Sequence, residues 1–417
     1  MPFCELSKYQ TAEDGSISTN GLKIFYQTYG RGFTKVLLII GLAGTHDSWG
    51  PQIRGLTGTD TPNNQECQQQ PPRLVAVDPE SNVSEDGDGG DGGASILADY
   101  GIEVCSFDNR GVGRSSVPKD KGMYNTTIMA KDALALMDHL GWKKAHVFGH
   151  SMGAMIASKV ASIAPGRVLS LALLNATGGG FECFPRIDRK FVSVAIRFLK
   201  AKTPEQRAAV DLDTHYTEEY LNEKVGNHTR RDLLHQEYVK GISSTGMQSN
   251  HGFEGQVNAC WMHKITSKEY DIVRSSGFLV SIIHGRDDII AQISHARRIA
   301  KKLYPVARMV ELHGAHLVSH ERPEEVNEAL MDLIKASESK LDADEWTNLC
   351  NIQTSREMTT LTWIRRTSGS CSSSMLELIM KLQLVLLYFF GLFLLLLQHG
   401  KKLFQNLKPM RIAAAAS

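Results

Sequence analysis

The sequence predicts an α/β protein: a mostly parallel central sheet with helices on both faces, a helical cap and a C-terminal hydrophobic helix. Three observations carry this. Short, largely apolar runs recur along the chain, as in strands buried on both faces. Between several of them, apolar residues stand three and four apart, the spacing of helices that cover such a sheet. One helix-rich stretch without any apolar run interrupts the alternation.

Residues 22–30 alternate and follow Asn20-Gly21, a turn pair that leads into a strand. Val36–Ile40 is wholly apolar and stops at Gly41. Further runs of this kind are Ile102–Phe107, Ala145–Phe148, Ser170–Asn175, Phe278–Ile283 and Met309–Leu312. Helical spacing occupies Thr127–Leu140, which Gly141 stops, and Met152–Ala164, which Pro165-Gly166 stops. It also occupies Arg322–Ile334, where Pro323 suits a first turn. The core is thus expected over 1–177 and 267–337, with a helical cap over 178–266. Residues 57–95 are acidic, Gly-rich and poor in large apolar side chains, and read as a disordered surface loop. Residues 338–374 read as a linker, 375–400 as a membrane anchor and 401–417 as a basic tail.

The anchor rests on Leu384–Leu397, an unbroken apolar stretch inside 382–398. As a helix, 382–398 would span roughly 25 Å against a hydrocarbon core of roughly 30 Å. It has no polar face, so a transmembrane helix is expected. Met1–Gln10 lacks the charged start and apolar centre of a signal peptide. The catalytic domain is therefore expected in the cytoplasm, membrane-anchored and not secreted, with the sequons at Asn82, Asn125, Asn175 and Asn227 unglycosylated. Forty-six basic against 45 acidic residues leave a net charge of +1, which argues against a nucleic-acid partner. Seven scattered cysteines (Cys4, Cys67, Cys105, Cys183, Cys260, Cys350, Cys371) form no CxxC pair. Neither a disulfide framework nor a zinc site is expected, and no metal or cofactor motif occurs.

Gly149-His150-Ser151-Met152-Gly153 carries the chemistry. It is a G-x-S-x-G pattern that follows an apolar run and precedes a helical one. The glycines allow a reversal from strand to helix that lifts the Ser151 hydroxyl clear of the backbone. The same bend aims the Met152 N–H and a helix N-terminus at whatever Ser151 attacks. A serine nucleophile needs a base, and the base needs an orienting carboxylate. The run Phe278–Ile283 leads into Asp287 and Asp288, and Met309–Leu312 leads into His313 and His316. Spacing alone leaves both choices open. His150 and His284 read as packing or hydrogen-bonding residues.

Gly149–Gly153, Asp108–Ser115 and the two downstream turns resemble the α/β-hydrolase superfamily over roughly residues 20–335, leaving out the acidic loop. The resemblance implies Asp288, at the end of a G-x-x-D turn, as the acid and His316, after Gly314-Ala315, as the base. It also implies Leu42 N–H as the second oxyanion donor, in the loop Gly41–Trp49. The family often has His-Gly where this sequence has Ile40-Gly41. His46, in the same loop, reads as a loop-stabilising residue or one that hydrogen-bonds near the site. Asp108–Ser116 is carried over only as a structural loop. Superfamily dehalogenases and epoxide hydrolases have aspartate where Ser151 stands, so their ester-intermediate chemistry is not expected.

The expected function is hydrolysis of a carboxylic ester, thioester or related acyl compound through an acyl-enzyme. The expected partner is a small-molecule acyl substrate, lipid-derived if the anchor places the site at a membrane. Phe181, Phe184, Phe191 and Phe198 read as pocket lining or cap core. Two alternatives share the triad: a plant-like ligand sensor, as in the superfamily's plant hormone and karrikin receptors, and C–C or aminoacrylate-type hydrolysis.

Overall fold

The structure is a computed structural model, and it describes residues 2–8, 21–63, 101–183, 189–245 and 248–349. Eight strands form one sheet: β1 (Phe3–Glu5), β2 (Lys23–Tyr29), β3 (Thr34–Ile39), β4 (Ile102–Phe107), β5 (Ala145–His150), β6 (Val168–Leu174), β7 (Leu279–Gly285) and β8 (Ala307–Leu312). Their order is β1-β2-β4-β3-β5-β6-β7-β8. The first two junctions are antiparallel and the rest parallel. All six parallel strands therefore end on one edge, where the loops after β3, β5, β7 and β8 meet.

The apolar runs are continuous because both sheet faces are covered. Leu37 and Ile39 of β3 join one core with Val147, Leu171, Val280 and Ile282. Val36 and Leu38 join the opposite core with Phe148, Ala172, Leu174 and Ile283. Helices α2 (Thr126–His139), α3 (Met152–Ile163) and α10 (Ile293–Lys302) supply the first core; α1 (Gly50–Thr57) and α12 (Pro323–Glu338), which follows the short α11 (Val318–Glu321), supply the second. Asn125 caps α2 by accepting from Ile128 N at 2.8 Å.

Between β6 and β7 the chain runs through α4 (Arg189–Lys200), α5 (Pro204–His215), α6 (Glu218–Asn222), α7 (Arg230–Thr245), α8 (Asn250–Met262) and α9 (Ser267–Ser275). Leu212, Tyr216 and Leu221 form a separate apolar cluster there, against which Leu317 packs. Phe181 lies at the surface against the edge of Trp261, and Arg207 sits over the Phe198 ring at 4.1 Å. Phe184 and the Phe191 side chain lie outside the described residues.

Several sequence expectations need correction. The loop expected over 57–95 starts later, because Asn63 donates to Thr28 Oγ1 and Gly30 O, tying 58–63 to β2. Residues 64–100 lie outside the described residues. The linker expected from 338 also starts later. Helix α13 (Ala343–Trp346) buries Trp346, whose Nε1 donates to Val280 O at 2.9 Å. Asn348 then pairs with both the N–H and the C=O of Met309 on the open edge of β8. The segment is weakly patterned because it is held by a few isolated contacts, the buried Trp346 ring and the side-chain hydrogen bonds at the sheet edge, rather than by a periodic apolar face. The expected transmembrane helix is withdrawn. Among the described residues no helix is long and apolar enough to cross a membrane. The 16-residue helices α7 and α12 carry charged residues along their length. The stretch 382–398 on which that expectation rested lies outside the described residues, and the lipid-derived substrate that depended on it is not carried forward.

A buried ion pair locks the loop after β4 to α2. Arg110 makes two 2.6 Å contacts to the Asp132 carboxylate and a third hydrogen bond to Met123 O, and both charged side chains are fully buried. Removing one partner leaves the other charge uncompensated, which typically costs about 3–5 kcal/mol. Asp132→Ala is expected to lower unfolding free energy by about that amount in a urea titration. A loss under about 1 kcal/mol would mean the pair is not the lock described.

Candidate active site

Ser151 sits between the last residue of β5 and the first of α3, at φ 55° and ψ −119°. That backbone is strained for a residue with a side chain, by about 1–3 kcal/mol, and persists only where the surroundings enforce it. Here close packing enforces it. A Cβ on Gly149 would lie 2.2 Å from Gly153 O, and one on Gly153 would lie 1.9 Å from Ile39 O. The spacing of the motif is thus the spacing at which α3 can press against β5 and β3. Ser151 N donates to Leu174 O at 2.9 Å, which ties the bend to β6.

His316 follows β8 and faces Ser151. Its Nε2 lies 3.0 Å from Ser151 Oγ and its Nδ1 lies 2.8 Å from Asp288 Oδ2. The neutral tautomer consistent with both contacts carries its proton on Nδ1 and accepts from the serine hydroxyl. Asp288 follows β7 and is buried. Its Oδ1 accepts from Ile290 N and Ala291 N, each at 2.8 Å, and its Oδ2 accepts from His316 and from Asn175 Nδ2, the latter at 2.7 Å. Burial alone would raise this carboxyl's pKa. The His316 charge and hydrogen bond, with help from His284 and Asn175, outweigh burial and bring it down to about 2.

The competing residues stand elsewhere. Asp287 is half-exposed, 3.2 Å from His313 Nδ1, while His313 Nε2 reaches Glu219 at 2.8 Å. His150 Nε2 donates to His316 O at 2.8 Å, and burial holds its ring neutral with a pKa of about 3. His284 Nε2 donates to Ala291 O at 2.7 Å, bracing the loop that feeds Asp288.

The loop Gly41–Trp49 lies against the serine. A Cβ on Gly41 would stand 3.1 Å from Ser151 Cβ. Next to it, Leu42 and Met152 present amides that donate to no acceptor among the described residues. The loop is held from behind. Asn109 Nδ2 donates to Ile40 O, and Gln256 of α8 accepts from Ala43 N at 2.9 Å. Asp108 accepts from both His46 N and His46 Nδ1 at 2.8 Å, and from Arg114 N at 2.9 Å. His46 is therefore buried between Asp108 and Asp47 as a brace, with its polar atoms turned away from Ser151.

Four residues at the site escaped sequence reasoning. Asn175 sat at the end of an apolar run and inside a sequon; its left-handed backbone, φ 48°, aims its amide at Asp288 and Ala315 O. Glu321 accepts from Ala315 N, Thr217 N and Thr217 Oγ1, fastening the segment after α5 to the turn that carries His316. Gln256 and His215 lie on α8 and α5. No signal in sequence marks these positions, because their partners are far away along the chain. Among the described residues, no group of three or more His, Cys, Asp or Glu is placed to hold a metal ion.

The profile of the α/β hydrolase fold family matches residues 93–323. A protein of Caulobacter vibrioides named as a carbamate hydrolase, RutD, is 27% identical over 234 residues, covering 56% of this chain and 81% of that one. A protein of Mycobacterium tuberculosis named as a non-heme bromoperoxidase, BpoC, is 29% identical over 234 residues, 55% of this chain and 82% of the other. The crystal structure of BpoC superposes with a TM-score of 0.52 at 22% identity, over 75% of this chain and 96% of that one. The enol-lactonase of Burkholderia xenovorans LB400 gives 0.52 at 19%, over 76% and 98%. At these identities the structural likeness shows the fold.

His46 supplies a pH test of the brace. Burial lowers its pKa, but the hydrogen bonds and charges of Asp108 and Asp47 outweigh burial and raise it from 6.5 to about 9. A raised folded-state pKa stabilises the protein fully below the unfolded value and loses that contribution as pH climbs through the folded one. The Tm difference between wild type and His46→Gln is therefore expected to be largest below pH 6.5 and to shrink as pH passes about 9. A difference that stays constant across that window would show that His46 is not held as a cation.

Proposed function

Because the chain belongs to the α/β hydrolase fold family, we propose that it is a serine hydrolase that cleaves a carboxylic ester or related acyl substrate through an acyl-enzyme. The observation that carries this reading is the unbroken hydrogen-bond chain from Ser151 Oγ through His316 to Asp288, built on a serine held at positive φ. The Ser151 proton can pass to His316 Nε2 without any side chain changing place, while Asp288 stays ionised behind the ring.

In the proposed reaction Ser151 Oγ attacks the acyl carbon and its proton passes to His316 Nε2. The carbonyl π electrons move onto oxygen, where the Leu42 and Met152 amides stabilise the charge. Asp288 steadies the imidazolium and keeps the ring oriented. Collapse of the tetrahedral species breaks the bond to the leaving group, which takes the proton from His316. Water then attacks the acyl-enzyme with His316 as base, and the acid departs as Ser151 Oγ is reprotonated. The name of the carbamate hydrolase relative denotes hydrolysis at a carbonyl carbon, and it supports this class of reaction here.

Ser151→Ala is expected to abolish both fluorophosphonate labelling and turnover of a p-nitrophenyl ester while the circular-dichroism spectrum stays that of the wild type. Turnover retained by that variant defeats the assignment. Asp288→Asn is expected to lower kcat by roughly 10³–10⁴. The wild type is expected to complete many cycles per minute on a good ester; one slow cycle ending in a stable adduct would instead fit a ligand sensor.

A further inference from the structure

Two further imidazoles neighbour the ring of His316. His150 lies beneath His316, with ring centroids 5.0 Å apart and planes at 60°. His215, the last residue of α5, lies across from the same ring at 6.1 Å with planes only 27° apart. His150 is accounted for by its bond to His316 O. His215 is not used by the reaction proposed above. Its Nδ1 is buried and has no hydrogen-bond partner among the described residues. A polar atom kept from water without a partner is destabilising, and a site that carries one regains the loss when a ligand supplies the partner.

The position of His215 is fixed by its own backbone. Leu317 N donates to His215 O at 2.9 Å, and two residues on, Thr217 is held by Glu321, which also accepts from Ala315 N. His316 is thus gripped on both sides by the segment that carries His215, so the two rings keep their separation. In acyl transfer His316 must hand its proton to the departing oxygen, so the leaving group sits within hydrogen-bond reach of His316 Nε2. His215 is the ring neighbour of His316 contributed by α5, and the proposal below seats the leaving group against it.

Resting on the serine-hydrolase reading, we propose that His215 is a positioning residue for the leaving group, and that the preferred substrates are esters whose alcohol part bears a hydroxyl close to the ester oxygen. The hydroxyl meets the ring nitrogen that is otherwise without a partner. A neutral group fits better than a charged one. Burial, the largest influence on this ring, keeps it uncharged, with a pKa lowered to about 3, and His316 and Arg207 push the same way while Asp288 opposes them.

The test compares 2-hydroxyethyl butyrate with propyl butyrate, which share an acyl part and nearly match in size, using the full-length protein. Wild type is expected to favour the hydroxylated ester by about tenfold in kcat/KM, the scale of one hydrogen bond. His215→Phe is expected to bring that ratio close to one, and His215→Gln, which keeps a hydrogen-bonding amide in reach, to restore part of it. If phenylalanine prevents folding, His215→Leu reads the same ratio. A wild type without preference, or a ratio unmoved by these variants, overturns the proposal. Fluorophosphonate labelling separates the two readings: an unlabelled Ser151 overturns both, whereas labelled Ser151 with an unmoved ratio overturns the role of His215 alone.

Discussion

The Asp288 carboxylate carries its charge in the interior, where an ion without partners would be expelled or neutralised. Two amides of its own loop, the side chain of Asn175 and the ring of His316 supply four hydrogen bonds to its two oxygens. Those donors come from the ends of β6, β7 and β8. Satisfying one carboxylate therefore sets three loops relative to one another. The ring of His316 is left with a single free direction, toward Ser151. A network of this kind is stable only when every member is satisfied, so displacing any loop costs more than its own contact.

The serine side of the site depends on close approach rather than charge. Gly41, Gly149 and Gly153 stand where β3, β5 and α3 come nearest, and side chains at 149 and 153 would drive into backbone carbonyl oxygens. The strain at Ser151 is thus maintained by packing of the whole parallel sheet. Because the parallel strands all end on the same edge, the strained serine, the buried carboxylate and the loop Gly41–Trp49 meet there, at the carboxyl ends of the strands where open α/β sheets usually bind ligands. The chain between β6 and α9 is tied to the same edge. It is fastened to the turn of His316 through Leu317 N to His215 O and through Glu321, and it braces the loop Gly41–Trp49 through Gln256.

The expectations that needed revision share a cause. Residues 343–349 and 58–63 look like linker and loop because they lack apolar periodicity, yet both are held by side-chain hydrogen bonds at the sheet and the turn that follows β2. Such contacts leave no periodic trace. Hydropathy has the opposite weakness: it reports that a segment is apolar, not what covers it.

The choice between Asp287 and Asp288, and between His313 and His316, shows where sequence reasoning stops. Each pair is separated by at most three residues, and spacing treats its members alike. In the fold, Asp288 and His316 point inward to each other, while Asp287 and His313 pair at the surface. The sheet, the bend at Ser151 and the order of its partners were legible from residues alone, because apolar runs, glycines and turn chemistry are local consequences of burial and backbone sterics. Spacing left open which acid and which imidazole meet, and the family resemblance implied Asp288 and His316; how Asn175 braces the carboxylate, how His46 braces the loop Gly41–Trp49, and that His215 faces His316 were decided only in three dimensions. Those contacts join residues from 28 to 166 positions apart, and no local pattern records a distance that only the packed sheet creates.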